Sequence, residues 1–103
     1  MKKIITHIQQ LNKAFDNIKR FGIMSVLMVN EWVEFKKLKE LLELSDGNLA
    51  SHIKALEKVE YIEVRKEFVG RKPKTTYRAT ELGKQAFSSH LDALEALLKQ
   101  SRK

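Results

Sequence analysis

Leu44-Ser45-Asp46-Gly47-Asn48-Leu49-Ala50-Ser51-His52-Ile53-Lys54-Ala55-Leu56-Glu57-Lys58 is the stretch on which the reading of the chain turns. Ser45 offers a side-chain oxygen to the free amides of a first helical turn, and Asp46 sets negative charge at the positive end of that helix. Leu49, Ile53 and Leu56 recur at i, i+4 and i+7, which makes one narrow buried stripe. At about 100° per residue the opposite face carries Gly47, Ser51, Lys54 and Lys58, flanked by Asn48 and Ala55. Small, hydrogen-bonding groups lead and cations follow. A helix whose N-terminal end enters the major groove of DNA needs that order, with little bulk at the tip, polar groups at base level and Lys near phosphate. An ordinary solvated helix face also has this pattern, so the flanking sequence has to decide.

Upstream, Leu38, Leu41 and Leu42 mark a compact helix ending near Leu44, so that residues 36–58 form a helix-turn-helix candidate. Glu31-Trp32-Val33-Glu34-Phe35 alternates as one short strand. Before it, Ile23, Val26, Leu27 and Val29 give a helix over about 18–30 a wide apolar face, with Gly22 marking a close contact or a bend. Ile4, Ile8, Leu11, Phe15 and Ile18 alternate steps of four and three, predicting a first helix over about 4–18.

Downstream the period changes. Ile62, Val64, Lys66 and Phe68 alternate with Glu63, Arg65 and Glu67, and Thr75, Tyr77 and Ala79 alternate again after Gly70-Arg71-Lys72-Pro73-Lys74. That is a β-hairpin over about 61–79 with a basic tip. Between Arg65 and Arg78 six cations (Arg65, Lys66, Arg71, Lys72, Lys74, Arg78) face one anion (Glu67), so the hairpin holds +5 of the net +7. Cations on an exposed hairpin also serve to blunt a sheet edge. Thr80 is a good N-cap for a final helix over about 81–99, where Phe87, Leu91, Leu94 and Leu98 repeat the four-three-four spacing of the N-terminus. Two such seams, Ile4, Ile8, Leu11 and Phe15 at one end and Phe87, Leu91, Leu94 and Leu98 at the other, are expected of a homodimer.

The 103 residues, 43% of them hydrophobic, suit one small domain, and the surplus of cations favours a polyanionic partner such as nucleic acid. The absence of cysteine excludes disulfides and thiolate zinc sites, and a cytoplasmic setting is expected. The longest apolar run, Ile23 to Val29, is interrupted by Ser25, and Thr6, His7, Gln9 and Gln10 end the apolar start after Met1-Lys2-Lys3, so no membrane or export segment is expected. His7, His52 and His90 lie far apart without carboxylates at ligand spacing, which argues against a metal site. Neither a nucleophile with its base nor a glycine-rich phosphate loop is present, so the chain reads as neither an enzyme nor a cofactor protein.

The order helix, helix, strand, helix, helix, hairpin, helix is that of a winged helix-turn-helix, mainly α with a small β-hairpin (α+β). Three motifs make the chain resemble the small single-domain winged-helix transcriptional regulators of the MarR/ArsR-like group. They are Leu44-Ser45-Asp46-Gly47-Asn48-Leu49 with Ser51-His52-Ile53 and Leu56-Glu57, then Phe68-Val69-Gly70-Arg71-Lys72-Pro73, then Thr75-Thr76-Tyr77-Arg78-Ala79-Thr80 with Gly83 beyond. The likeness spans about residues 20–87. It implies a dimer that lays one recognition helix per chain in successive major grooves of double-stranded DNA while each wing reaches the minor groove or backbone. It also implies base-level contacts from Gly47, Asn48, Ser51 and His52, with Lys54 on phosphate and Lys66, Arg71, Lys72 and Lys74 acting from the wing. Two positions depart from the pattern: Glu60 stands where relatives usually have Gly, and Lys36 opens its helix in place of a Ser, Thr or Asp cap.

The expected function is sequence-specific DNA binding as a homodimeric transcriptional regulator. The alternative is a winged-helix interaction module whose basic wing holds an acidic protein. Any effector, of unknown identity, would sit at the dimer interface or between the terminal helices and the core.

Overall fold

The computed structural model describes residues 2–101, with side chains over 6–100. In chain order it contains α1 (Lys2–Gln9), a 3₁₀ turn (Lys13–Phe15), α2 (Ile18–Met28), β1 (Val33–Glu34), α3 (Phe35–Leu42), α4 (Asp46–Lys58), β2 (Ile62–Val69), β3 (Lys72–Ala79) and α5 (Glu81–Ser101). Among the described residues no helix is long and apolar enough to cross a membrane.

The helix-turn-helix forms where the sequence placed it. α4 starts because Ser45 Oγ accepts a hydrogen bond from the Asn48 N–H at 3.2 Å, and it buries Leu49, Ile53 and Leu56. α3 buries Leu38 and stops because Glu43 takes the left-handed conformation (φ 52°), which turns the chain within three residues into α4. α2 lies across both helices with Ile23, Met24 and Leu27 in the core, while Val29, expected on its apolar face, is exposed just past the helix end.

The hairpin is longer and its turn tighter than expected. β2 and β3 stay paired from Ile62↔Ala79 to Val69↔Lys72, so Lys72, Pro73 and Lys74 belong to a strand and only Gly70 and Arg71 make the turn. Gly70 has φ +67° and Arg71 does not share that sign, the pattern of a type II′ turn, which suits the twist of paired strands. β1 adds to the far side of β3 through Val33↔Tyr77 and Glu34↔Thr76, giving the order β1-β3-β2. Ile62, Tyr77 and Ala79 on the inner face close the core beneath the hairpin.

The N-terminal expectation fails. No single helix runs over 4–18, because Asn12 and Asn17 are caps: Asn12 Oδ1 accepts from the Ala14 N–H and Asn17 Oδ1 from the Lys19 N–H, each at 2.9 Å. The break turns Phe15 inward. Phe15 and Phe87, both expected on dimer seams, are each only 3% exposed and meet edge to face with ring centroids 5.1 Å apart. They are core residues of the protomer. α1 lies along α5 of its own chain. Ile8, Leu91 and Leu98 stay 53%, 40% and 58% exposed, Leu11 and Leu94 are half-buried, and the Ile4 side chain falls outside the described residues.

α5 is anchored at its start. Thr80 Oγ1 accepts from the Gly83 N–H at 2.9 Å and donates to the Glu60 carbonyl at 2.7 Å, tying α5 to the exit of α4. Gly83 is required by close approach, since a Cβ there would fall 2.0 Å from the Tyr61 carbonyl oxygen.

Candidate nucleic-acid interface

The outward face of α4 carries Gly47, Asn48, Ser51 and Lys54, all exposed, and a Cβ on Gly47 would meet nothing within 4 Å. The helix tip is thus open to an approaching surface. Lys39 Nζ lies 2.8 Å from Asp46 Oδ1, which holds the acidic first residue of α4 against α3 and clips the two helices together. His52 is not grouped with that open face. Half-buried, it turns toward α2, its Nδ1 3.4 Å from Arg20 Nη1. Burial first, then the charges of Arg20 and Lys19, lower its pKa and hold the ring neutral. Arg20, which sequence reading passed over, also donates from Nε to the Ala14 carbonyl at 2.7 Å, so one side chain joins α2, α4 and the 3₁₀ turn.

The six hairpin cations divide into two groups. Three are paired: Arg78 with Glu63 and with Glu31 (3.7 Å), Arg65 with Glu67 (3.7 Å), and Lys74, whose Nζ is 3.6 Å from Glu34. Both arginines stack on Trp32, with Arg65 Cζ 4.3 Å and Arg78 Cζ 4.7 Å from its ring centroid. Nothing in the spacing signals this stack, because Trp32 reaches the arginines only through the pairing of β1 with β3. Lys66, midway along β2, and Arg71 and Lys72 at the turn form no ion pair among the described residues. Compensation is set by the neighbours across the sheet and not by distance along the wing, since Lys74 lies nearer the turn than Lys66 and is paired while Lys66 is not. Lys74, expected to act with Arg71 and Lys72, is held by Glu34.

A groove runs between the β3 end of the wing and the start of α3, lined by Lys36, Lys66, Lys72 and Lys74 over a floor that includes Phe35, Pro73 and Tyr77. Its one carboxylate, Glu34, is the partner of Lys74. Lys36, read from sequence only as a poor helix start, is therefore a member of this basic groove. Burial, and then the Glu57 charge, raise the Tyr77 pKa and keep its hydroxyl protonated. Among the described residues no group of three or more His, Asp or Glu could hold a metal ion.

A family model described as a winged helix DNA-binding domain matches residues 19–98, from α2 into α5. An uncharacterized protein of Methanocaldococcus jannaschii is 37% identical over 79 residues, covering 77% of this chain and 86% of that protein. The structure of a transcriptional regulator homologue protein from Pyrococcus horikoshii OT3 is similar with a TM-score of 0.84 at 26% identity, covering 97% of both chains. The S. aureus MepR–DNA complex shares the fold, with a TM-score of 0.73 over 91% of this chain and 77% of that chain at 9% identity. The protein thus has the winged-helix architecture that its motifs led us to expect, and by sequence it belongs to the winged helix DNA-binding domain family.

Proposed function

We propose that the protein is a homodimeric transcriptional regulator that binds specific sites on double-stranded DNA, with α4 in the major groove and the wing at the adjacent minor groove. The observation that carries this reading is the distribution of uncompensated charge. Lys66, Arg71 and Lys72 on the wing and Lys54 and Lys58 on α4 have no ion-pair partner among the described residues, whereas the remaining hairpin cations do. Cations left free on two exposed elements suit a phosphate backbone. Asn48 and Ser51, exposed in the first turns of α4, supply the hydrogen-bonding groups for base edges. The apolar residues left exposed on the terminal helices, Ile8, Leu91 and Leu98, are the seam for a second copy.

Selection of duplexes from a random pool, followed by mobility-shift titration over a range of salt, tests the reading. Lys72→Ala should weaken selected and random duplexes alike, by roughly tenfold or less, and should lower the salt dependence by about one phosphate contact. Asn48→Ala should compress the preference for the selected sites by about 1–3 kcal/mol. If both variants erode preference equally, the division of labour between helix and wing is wrong. No salt-sensitive shift at micromolar protein would favour the acidic-protein module instead.

A further inference from the structure

The tip of the wing is apolar as well as basic. Phe68, two residues before the turn glycine, is 74% exposed, and Val69, next to it, is 59% exposed. The register pairs Phe68 with Pro73 on one face of the ribbon and Val69 with Lys72 on the other. The inner face of β2 is occupied by core contacts at Ile62 and Val64, then by Lys66, then by Phe68. At about 3.3 Å per residue the Phe68 ring stands roughly 13 Å beyond Val64, clear of the domain. Burying a phenylalanine ring is worth about 1.5–3 kcal/mol, and nothing in the protomer supplies that burial. Lys66 two residues before Phe68 on the same face, Arg71 in the turn and Lys72 on the opposite face have no ion-pair partner among the described residues, so whatever covers Phe68 also meets positive charge on both sides of the ribbon's end.

We propose that Phe68, backed by Pro73, is an apolar wedge that enters the minor groove of the bound duplex and opens one base step. Lys66, Arg71 and Lys72 grip the flanking phosphates. The inference rests on the DNA-binding reading above and adds to it that the wing deforms the duplex and does not only neutralise it. The partner is fixed by charge. A surface that is apolar at its centre and anionic at its rim describes an unstacked base step between two phosphate strands. A minor groove about 6 Å wide admits the end of a ribbon two residues thick at its turn. Pyrimidine–purine steps unstack most readily, so the wedge selects a flexible step beside the bases read by α4 and contributes specificity at a position without a hydrogen-bonded base contact.

The test uses the full chain and a duplex of about thirty base pairs selected from a random pool by the wild-type protein. The duplex carries a donor–acceptor pair at its ends and, at successive steps in turn, a fluorescent adenine analogue that brightens on unstacking. Wild-type protein should shorten the end-to-end distance and brighten the analogue at one step. Phe68→Ala should leave the duplex straight and the analogue dark while weakening binding about tenfold, and Phe68→Leu should keep most of the bend. Lys72→Ala should lose affinity and, once saturated, bend the duplex as the wild type does. Sedimentation of each variant reports oligomeric state. A straight duplex with wild-type protein, or an unchanged bend with Phe68→Ala, overturns the wedge and leaves the DNA-binding reading intact. Loss of self-association in Phe68→Ala with bending retained would assign the ring to a second copy and also overturns it. If the wild-type protein selects no duplex, both readings fall together.

Discussion

Glu60 occupies a backbone conformation, φ 62°, that places a Cβ against the neighbouring carbonyl. It is kept there by its neighbours: its N–H donates to the Glu57 carbonyl at 2.9 Å, and its carbonyl accepts from Thr80 Oγ1 at 2.7 Å. Glu60→Gly keeps both bonds. It removes a left-handed penalty of about 1–2 kcal/mol and incurs about 0.5–1 kcal/mol of added chain entropy, so urea unfolding should show a net gain of about 1 kcal/mol. A loss would mean that the carboxylate makes a contact that matters more than the strain. Gly83→Ala should act in the opposite direction, costing about 3 kcal/mol, because its Cβ would meet the Tyr61 backbone and not a side chain able to move aside. The family resemblance marked Glu60 as a departure from a glycine, and the structure gives it the left-handed angle that glycine favours. The same angle at Glu43 was not legible in the sequence, since no glycine pattern marks the turn between α3 and α4.

Among the elements, the segment joining α1 to α2 depends on a single imidazole. The Asn12 N–H donates to His90 Nδ1 at 3.0 Å, Asn12 Nδ2 donates to the Tyr61 hydroxyl at 2.8 Å, and the His90 ring packs edge-on against Phe15 and Phe21. Protonation would place a second N–H against the Asn12 donor. Burial lowers the His90 pKa, and the Asp16 charge opposes this without reversing it. The unfolded chain, with the ordinary value of 6.5, thus binds the proton first as pH falls. The stabilisation is complete above 6.5 and is lost as pH drops through the lowered folded value. His52, lowered as well, adds a term of the same sign. Melting temperature followed from about pH 8 to pH 5 should therefore decline on the acid side, and His90→Gln, which retains an acceptor but does not titrate, should leave only the His52 part of the slope. At the foot of the wing, Trp32→Ala removes two cation stacks together with ring burial. It should cost about 2 kcal/mol and speed amide exchange in β2 and β3, whereas exchange in α4 should change little.

At the scale of the molecule, the exposed apolar residues of α1 and α5 bear on assembly. Leu98→Asp combined with Leu91→Asp should convert a sedimenting dimer to a monomer of unchanged helix content and weaken binding to a two-half-site duplex far more than to a single half-site. A dimer of unaltered mass would place the interface elsewhere. If the protein assembles as the proposed dimer, paired spin labels should place the two Ser51-bearing helices about 34 Å apart, one turn of DNA. What the sequence determined by itself was everything governed by local rules. Capping at Ser45 and Thr80, the periodic stripe of α4, the alternation of β2 and β3 and the clustering of cations each depend on neighbours a few residues apart. Tertiary structure alone decided what depends on distant neighbours. The apolar spacing from Ile4 to Ile18 was the same whether the helix continued or broke; the Asn12 and Asn17 caps make the break locally, and the His90 and Tyr61 partners of Asn12 fix it where Phe15 enters the core. Likewise six hairpin cations look equivalent along the chain, but β1 pairing with β3 brings Glu31, Trp32 and Glu34 to three of them. Charge that is spent inside the fold and charge that is free to act differ only in what lies across from them, and sequence spacing carries no record of that.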